Sequence, residues 1–123
     1  QEQSEVKVVN DQIGTPTSAR LISDITARLV STKKCSVSNN ISGLFNLTAS
    51  GQTTWFGFAK EILATMDTVT SIIPISSLEY EVRAVRPTRS LLDNHKLISN
   101  IGMFQLDWKT VLAKEIEVGS ENF

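Results

Sequence analysis

The chain has 123 residues, of which 41% are hydrophobic and 20% charged, a composition typical of one globular domain and not of a disordered or fibrous chain. Its net charge of −1 disfavours nucleic acid and anionic membranes as partners. The sequence has no apolar run of the ~20 residues that cross a bilayer and no signal-peptide pattern, and its single cysteine, Cys35, excludes an intramolecular disulfide. We therefore expect a cytoplasmic protein without membrane or nucleic-acid partners.

A strand and a helix joined by a polar loop are the first predicted elements. Val-rich alternation predicts the strand over residues 5–9. In the loop NDQIGTPTSAR (10–20), Gly14 suits backbone angles that are closed to other residues, and Pro16 pre-sets a turn. Apolar residues at helical spacing predict the helix over residues 18–30. Its cap is expected to be Thr17 or Ser18.

The middle of the chain predicts a second strand, a wide apolar helix and a third strand. LFNLT (44–48) is bounded by glycine-containing turns, which is typical of a strand. Apolar residues cover more than half of the helix predicted over 54–66, so we expect it to pack on two sides. TVTSIIPIS (68–76) is rich in β-branched residues, and Pro74 favours an edge strand or a strand that stops at the proline.

Two short helices are predicted at the end of the chain, after a polar, basic loop, VRPTRSLLD. NHKLISNIG predicts a helix that ends at Gly102, and LDWKTVLAKEIE predicts a last helix that Asp107 caps. The resulting order β, α, β, α, β, α, α indicates a layered α/β or α+β fold.

Groups that perform catalysis are scarce. His95 is the only histidine, and no spacing of His, Cys and carboxylates indicates a metal site or a nucleophile with its base. We expect His95 to lie exposed on a short helix. Trp55 and Trp108 lie on apolar helix faces and are expected in a core or an interface. Neither a glycine-rich phosphate fingerprint after a strand nor a Tyr-x-x-x-Lys pair is present.

Two stretches remain as candidates for binding. Arg83, Arg86 and Arg89 recur at a three-residue spacing in a segment without acids. A guanidinium holds two phosphate oxygens at once, which suits a diphosphate, although the spacing alone favours a solvated basic loop. In the opening loop, Gln12 and Thr15 have no evident local structural role, and a binding role stays open for both.

Five stretches of the sequence, in order, resemble the C-terminal part of one enzyme family. They are VVNDQIGTPTSARLISDIT, GLFNLTASGQTTWFGFAKEIL, IIPISSLEY, RPTRSLLDNHKL and DWKTVL. They resemble the dTDP-4-dehydrorhamnose reductase (RmlD-like) family of extended short-chain dehydrogenases, with Asp-Gln-x-Gly-x-Pro-Thr and Thr-Trp-x-x-Phe-Ala as the specific motifs. The resemblance implies an α/β fold that corresponds to the C-terminal substrate-binding portion of a Rossmann-type fold and lacks its N-terminal cofactor-binding half.

The resemblance also implies a function for the full-length protein. Members of the family use NADPH or NADH to reduce dTDP-6-deoxy-L-lyxo-4-hexulose to dTDP-L-rhamnose for polysaccharide. Their proton donor, its lysine and the cofactor fingerprint lie in the N-terminal half, so we expect residues 1–123 to be a single substrate-binding fragment that is inactive alone. We expect residues 5–48 to pack on the missing cofactor domain, and exposed apolar surface to favour a homo-oligomer. The implied partners are that domain and a dTDP-sugar.

The resemblance implies a substrate-binding site and no catalytic, cofactor-binding or metal-binding residues in this chain. Arg86 stands where related sugar-nucleotide enzymes place an arginine on the diphosphate. The family loop that borders the cleft contributes Gln12, Gly14, Pro16 and Thr17. The chain departs from the family before Arg86, where YEVRAV replaces the frequent Tyr-Pro-Thr-Pro-Ala and its arginines. The local loop shape is therefore open, and Arg83 is available to restore the charge.

Two alternatives remain open at this point. The same fold serves non-catalytic roles, so a sugar-nucleotide-binding or regulatory subunit is the alternative function. The upstream sequence discriminates the two, since a glycine fingerprint followed by Tyr-x-x-x-Lys favours the enzyme. The chain is also a candidate for a module that is stable on its own.

Overall fold

A computed structural model describes residues 5–35, 43–66, 68–80, 84–102 and 106–120. Its elements within these ranges are, in chain order, β1 Glu5–Val9, β2 Ile13–Gly14, α1 Ala19–Cys35, β3 Thr53–Thr54, α2 Trp55–Leu63, β4 Ser71–Ile75, α3 His95–Ile101 and α4 Trp108–Ser120. The chain divides into two compact units. The first comprises residues 1–16 and 51–91, and the second residues 17–50 and 92–123. No helix in the described ranges has the length and apolar content that crossing a membrane requires.

A two-stranded parallel sheet supports the first unit. β1 and β4 pair in register over all five residues of each strand. Val9 and Ile75, which face each other at the end of this ladder, are both buried. Pro74 lies inside β4, and the strand continues for one residue beyond it. Proline is tolerated at an open sheet edge, where no further strand needs its missing N–H.

Helix α2 covers this sheet and contacts β1, β3 and β4. It begins after Thr54, whose hydroxyl accepts a hydrogen bond from Gly57 N at 3.0 Å, so the helix predicted over 54–66 is confirmed and is shorter at both ends. No residue of α2 is buried, and Trp55 is 54% exposed. Most residues of α2 are half-buried, and its packing on two sides stays a prediction.

The second unit has a helical core. Its buried apolar side chains come from α1, the extended segment before Ser50, α3 and α4: Ile25, Ala49, Leu97, Trp108 and Val111. The core position predicted for Trp108 is thus confirmed.

The helix ends of this unit follow the sequence signals. Ser18 Oγ accepts a hydrogen bond from Leu21 N at 3.1 Å and caps α1, which continues beyond the predicted range to Cys35. The carboxylate of Asp107 accepts a hydrogen bond from Lys109 N at 2.9 Å and caps α4. Helix α3 ends at Gly102, whose φ of 66° lies in the left-handed region that glycine favours.

Residues 44–48 do not form the predicted strand within the part of the chain that the structure describes, where they pair with no other strand. Side chains bind the backbone instead: Asn94 Nδ2 donates to Thr48 O at 3.0 Å, and Thr17 Oγ1 accepts from Ala49 N at 3.2 Å. A strand needs the backbone of a neighbour for these bonds, and the helices around this segment do not supply one.

Candidate functional site

The site begins with the loop between β1 and β2, which is held by its own polar side chains. Asn10 N donates to Ile75 O at 2.9 Å and extends the ladder of β1 and β4 by one residue. Asn10 Oδ1 accepts a hydrogen bond from Thr54 Oγ1 at 2.8 Å. The next residue, Asp11, accepts from both the backbone N and the hydroxyl of Ser77, with distances of 2.9–3.0 Å. The first two polar side chains of the loop therefore attach it to β4 and to the start of α2.

Two carboxylates stay charged beside this loop. The backbone N–H of Ser77, followed by its hydroxyl, lowers the pKa of Asp11. The backbone N–H and the hydroxyl of Ser76 lower the pKa of Glu79 in the same way, and the positive charge of Lys7 lowers it further. Both carboxylates thus stabilise the turn that follows β4.

Backbone bonds on both sides of Ile13 fix the far end of the loop. Ile13 N donates to Thr88 O at 2.8 Å, and Ser90 N donates to Ile13 O at 2.9 Å, while β2 pairs antiparallel with β3. Gly14 has no positive φ, so the predicted need for special backbone angles is wrong. Its missing side chain serves close packing, since a Cβ there would stand 3.2 Å from Ser90 Oγ.

The loop, the start of α2 and residues 86–90 enclose a cavity of about 430 Å³, here called the larger cavity. Two rings of α2, Trp55 and Phe58, line it together with the cation of Arg86. Hydroxyl residues line much of the remainder: Thr15, Thr53, Thr54 and Ser90. Its volume falls in the range of ~300–1,000 Å³ that is usual for small-molecule sites, and it offers apolar rings, hydroxyls and one positive charge.

A second cavity of about 270 Å³, here called the smaller cavity, lies against β1 and the turn after β4. It shares Gln12, Trp55 and Arg86 with the larger cavity, and Lys7 and Tyr80 line it in addition. The three shared residues therefore form the boundary between the two cavities.

The structure brings together four of the five predicted substrate-binding residues. Gln12, Gly14, Pro16 and Arg86 line the larger cavity. Among the described residues, neither the side chain of Gln12 nor the guanidinium of Arg86 has a hydrogen-bond or ion-pair partner. Thr17 does not line either cavity and belongs to the second unit, where its hydroxyl accepts the bond from Ala49 N.

The structure describes two of the three arginines, Arg86 and Arg89. Arg83 lies outside the described residues. Arg89 Nη2 donates to Gln52 Oε1 at 3.1 Å, a bond that holds the segment after Arg86 to the residues before β3. Only Arg86 of the described pair lines the cavities.

Sequence reasoning missed three residues of the site. Trp55 is not in a core of the described residues, and its exposed ring lines both cavities. Lys7 and Tyr80 have no local sequence signal of a binding role, apart from the position of Lys7 inside a Val-rich strand. Thr15 has a structural bond, since its hydroxyl donates to Gly51 O at 2.8 Å.

The described residues outside the cavities offer no metal centre. No group of three or more His, Cys, Asp and Glu that could hold an ion occurs among them. His95 lies exposed at the start of α3, as predicted.

Comparison with known proteins identifies the family. The sequence profile described as RmlD substrate binding domain matches residues 1–120. The chain belongs to this family. A curated relative, the dTDP-4-dehydrorhamnose reductase of Burkholderia thailandensis, is 37% identical over a match that covers 88% of this chain and 40% of the relative. The chain thus spans about two-fifths of the length of the curated relatives that it matches.

Solved structures of the same family share the fold. A dTDP-4-dehydrorhamnose reductase from Clostridium acetobutylicum superposes with a TM-score of 0.82 at 30% identity, over 95% of this chain and 39% of that protein. The enzyme from Bacillus anthracis, in complex with NADP, gives 0.81 at 27% identity, over 92% and 38%. These matches confirm the predicted α/β fold as a C-terminal portion of a Rossmann-type fold in a family of oxidoreductases.

Proposed function

We propose that the full-length protein is a dTDP-4-dehydrorhamnose reductase and that this chain is its substrate-binding part. In this proposal the enzyme reduces the 4-keto group of dTDP-6-deoxy-L-lyxo-4-hexulose with NADPH or NADH and forms dTDP-L-rhamnose. The cofactor binds mainly outside the chain, and the NADP complex of the Bacillus anthracis relative supports NADPH. Membership of the family supports a dTDP-sugar as the substrate.

The observation that carries the proposal is that Gln12 and Arg86 both line the larger cavity. The side chains of both have no hydrogen-bond or ion-pair partner among the described residues. A polar side chain left without a partner beside a cavity is suited to a ligand. The guanidinium of Arg86 would bind the diphosphate with two parallel hydrogen bonds. The amide of Gln12 would bind a polar group of the nucleotide sugar. Gly14 and Pro16 would form the wall, and Thr17 would end the loop.

Titration of the full-length protein with dTDP tests the role of Arg86. A hydrogen bond to a charged group contributes about 1.5–3 kcal/mol, so Arg86→Ala is expected to weaken dTDP binding about 10- to 150-fold. Arg20→Ala is the control, because Arg20 is an exposed arginine of α1 that lines neither cavity. An affinity of Arg86→Ala within twofold of the wild type would contradict the proposed site.

Turnover tests the enzymatic part of the proposal separately. The wild-type full-length protein is expected to oxidise NADPH only when the 4-keto sugar nucleotide is present. Binding of dTDP without such turnover would contradict the reductase assignment and leave the binding site intact.

A further inference from the structure

The smaller cavity carries a charge that the proposed role of Arg86 does not use. Lys7 lines it from β1, and Arg86 lines it from the segment after β4. No hydrogen bond or ion pair occupies the ammonium of Lys7 within the part of the chain that the structure describes. The nearby Glu79 feels the charge of Lys7, but its Oε1 already accepts two hydrogen bonds from Ser76. The ammonium thus keeps its donors for a ligand.

Two aromatic rings line the same cavity as these cations. Trp55 and Tyr80 both line the smaller cavity and are 54% and 50% exposed. Aromatic rings left half open beside cations suit a ligand that combines a flat ring with negative charge. A nucleoside diphosphate has this chemistry.

The charge of a diphosphate also exceeds what one guanidinium neutralises. Each of the two phosphates in a nucleotide sugar is ionised near neutral pH, so the diphosphate carries about two negative charges, whereas a guanidinium carries a single positive charge. Arg86 lines both cavities, whereas Lys7 lines only the smaller one. A diphosphate bound by Arg86 in the smaller cavity would therefore share that cavity with Lys7.

We infer that Lys7 is a second phosphate-binding residue, which together with Arg86 clamps the diphosphate of a nucleoside diphosphate at the smaller cavity. The inference rests on the proposed function, because it assumes that the ligand is linked to a nucleotide. It assigns the second cation to β1 and not to the basic segment around Arg86. Lys7 contributes affinity for the phosphates and none for the nucleoside.

Calorimetric titration of the full-length protein with dTDP and with thymidine tests the inference. Lys7→Met keeps the aliphatic stem and removes the charge, so it is expected to weaken dTDP binding about tenfold. Its affinity for thymidine should stay within twofold of the wild type. The dependence of dTDP binding on salt should also become shallower, since fewer charges are paired.

Two further variants make the result specific. Lys60→Met is the matched control, because Lys60 is an exposed lysine of α2 in the same unit and lines neither cavity. It is expected to bind dTDP like the wild type. Lys7→Arg restores a cation on the same strand and is expected to recover most of the affinity, which separates loss of charge from loss of the fold.

The outcomes separate this inference from the proposed function. If Lys7→Met binds dTDP within twofold of the wild type while Arg86→Ala does not, the clamp is overturned and the proposed site stands. An equal loss of dTDP and thymidine affinity in Lys7→Met also overturns the clamp. A wild-type protein that fails to bind dTDP overturns the proposed function and the clamp together.

Discussion

At the scale of single residues, Asp11 shows how the site is positioned by a group that does not line it. Its carboxylate accepts hydrogen bonds from the N–H and the hydroxyl of Ser77, and the next residue along the chain is Gln12. The position of Gln12 at both cavities therefore depends on an attachment to the turn after β4. Ser77 itself lines the smaller cavity, which joins this attachment directly to the site.

The lowered pKa of Asp11 predicts a loss of stability in acid. A carboxyl whose folded pKa is depressed stabilises the fold above its ordinary value, here 3.8, and this contribution is lost as pH falls through the folded pKa. Glu79 behaves alike from its ordinary value of 4.5. We expect the melting temperature of Asp11→Asn to decrease less steeply than that of the wild type as the pH is lowered from about 6 to about 2.

Ser77→Ala serves as the graded comparison for this prediction. It removes the hydroxyl donor to Asp11 and keeps the N–H donor. The decrease of its melting temperature in acid should therefore be intermediate between those of the wild type and Asp11→Asn. The same decrease of melting temperature with falling pH in all three proteins would show that these hydrogen bonds do not determine the stability in acid.

The sequence distinguished some residues of the site and misplaced others for a physical reason. Gln12 and Thr15 both lacked a local role, and only Gln12 remains without a partner among the described residues, because Thr15 bonds the carbonyl of Gly51 from a distant part of the chain. Trp55 has the pattern of a core residue but lies exposed at the cavities. Contacts between distant segments decide both cases, and local patterns do not encode them.

At the scale of elements, the helix ends were predictable and the strand pairing was not. The caps at Ser18 and Asp107 and the glycine stop at Gly102 each satisfy a backbone group within four residues. The segment 44–48 has an equally good strand pattern, yet Lys96 Nζ bonds Leu44 O at 2.9 Å where a strand would have a neighbour. A pattern of five residues indicates extended backbone, but it does not determine which strand will pair with it.

The start of α2 offers a sharp test of packing. A Cβ at Gly57 would stand 2.5 Å from Thr53 Oγ1, whereas a Cβ at Gly119 in α4 would meet nothing within 4 Å. We expect Gly57→Ala to lower the free energy of unfolding by about 1–3 kcal/mol, as overpacking does. Gly119→Ala should leave it unchanged or raise it by up to about 1 kcal/mol.

Urea denaturation of both variants measures this difference through the midpoint. Gly119→Ala controls for the intrinsic gain of replacing a helical glycine by alanine. Equal midpoints for the two variants would mean that Thr53 moves aside at no cost. Since Thr53 also lines the larger cavity, Gly57→Ala should weaken dTDP binding in the full-length protein as well.

At the scale of the whole molecule, the chain spans about two-fifths of its curated relatives. The order of the motifs was enough to predict the family and the fold, which the profile over residues 1–120 confirms. We propose that residues 5–48 pack on the cofactor-binding part of the full-length protein, and that the chain alone associates with itself through the apolar surface left open. The 85% exposure of Leu44 in the second unit supports this proposal.

Hydrogen exchange on the segment 43–50 tests whether its backbone is hydrogen-bonded by a part of the full-length protein outside this chain. In the described part of the chain, the backbone N–H groups of residues 44–47 donate no hydrogen bond, so they should exchange rapidly in the 123-residue chain. They should become protected in the full-length protein, where a neighbouring strand supplies acceptors. Ala49 N and Ser50 N are internal controls, because both are bonded within the chain at 3.2 and 2.9 Å.

In the same experiment, the amide protection of helix α4 shows whether the 123-residue chain is folded. Its amides around the buried Val111 should be protected in both proteins. If residues 44–47 are equally protected in both while α4 is folded, the segment needs no partner outside the chain and the proposed packing of residues 5–48 is wrong. Protection that appears only in the full-length protein would mean that this segment forms a strand in a sheet of the remaining part of that protein.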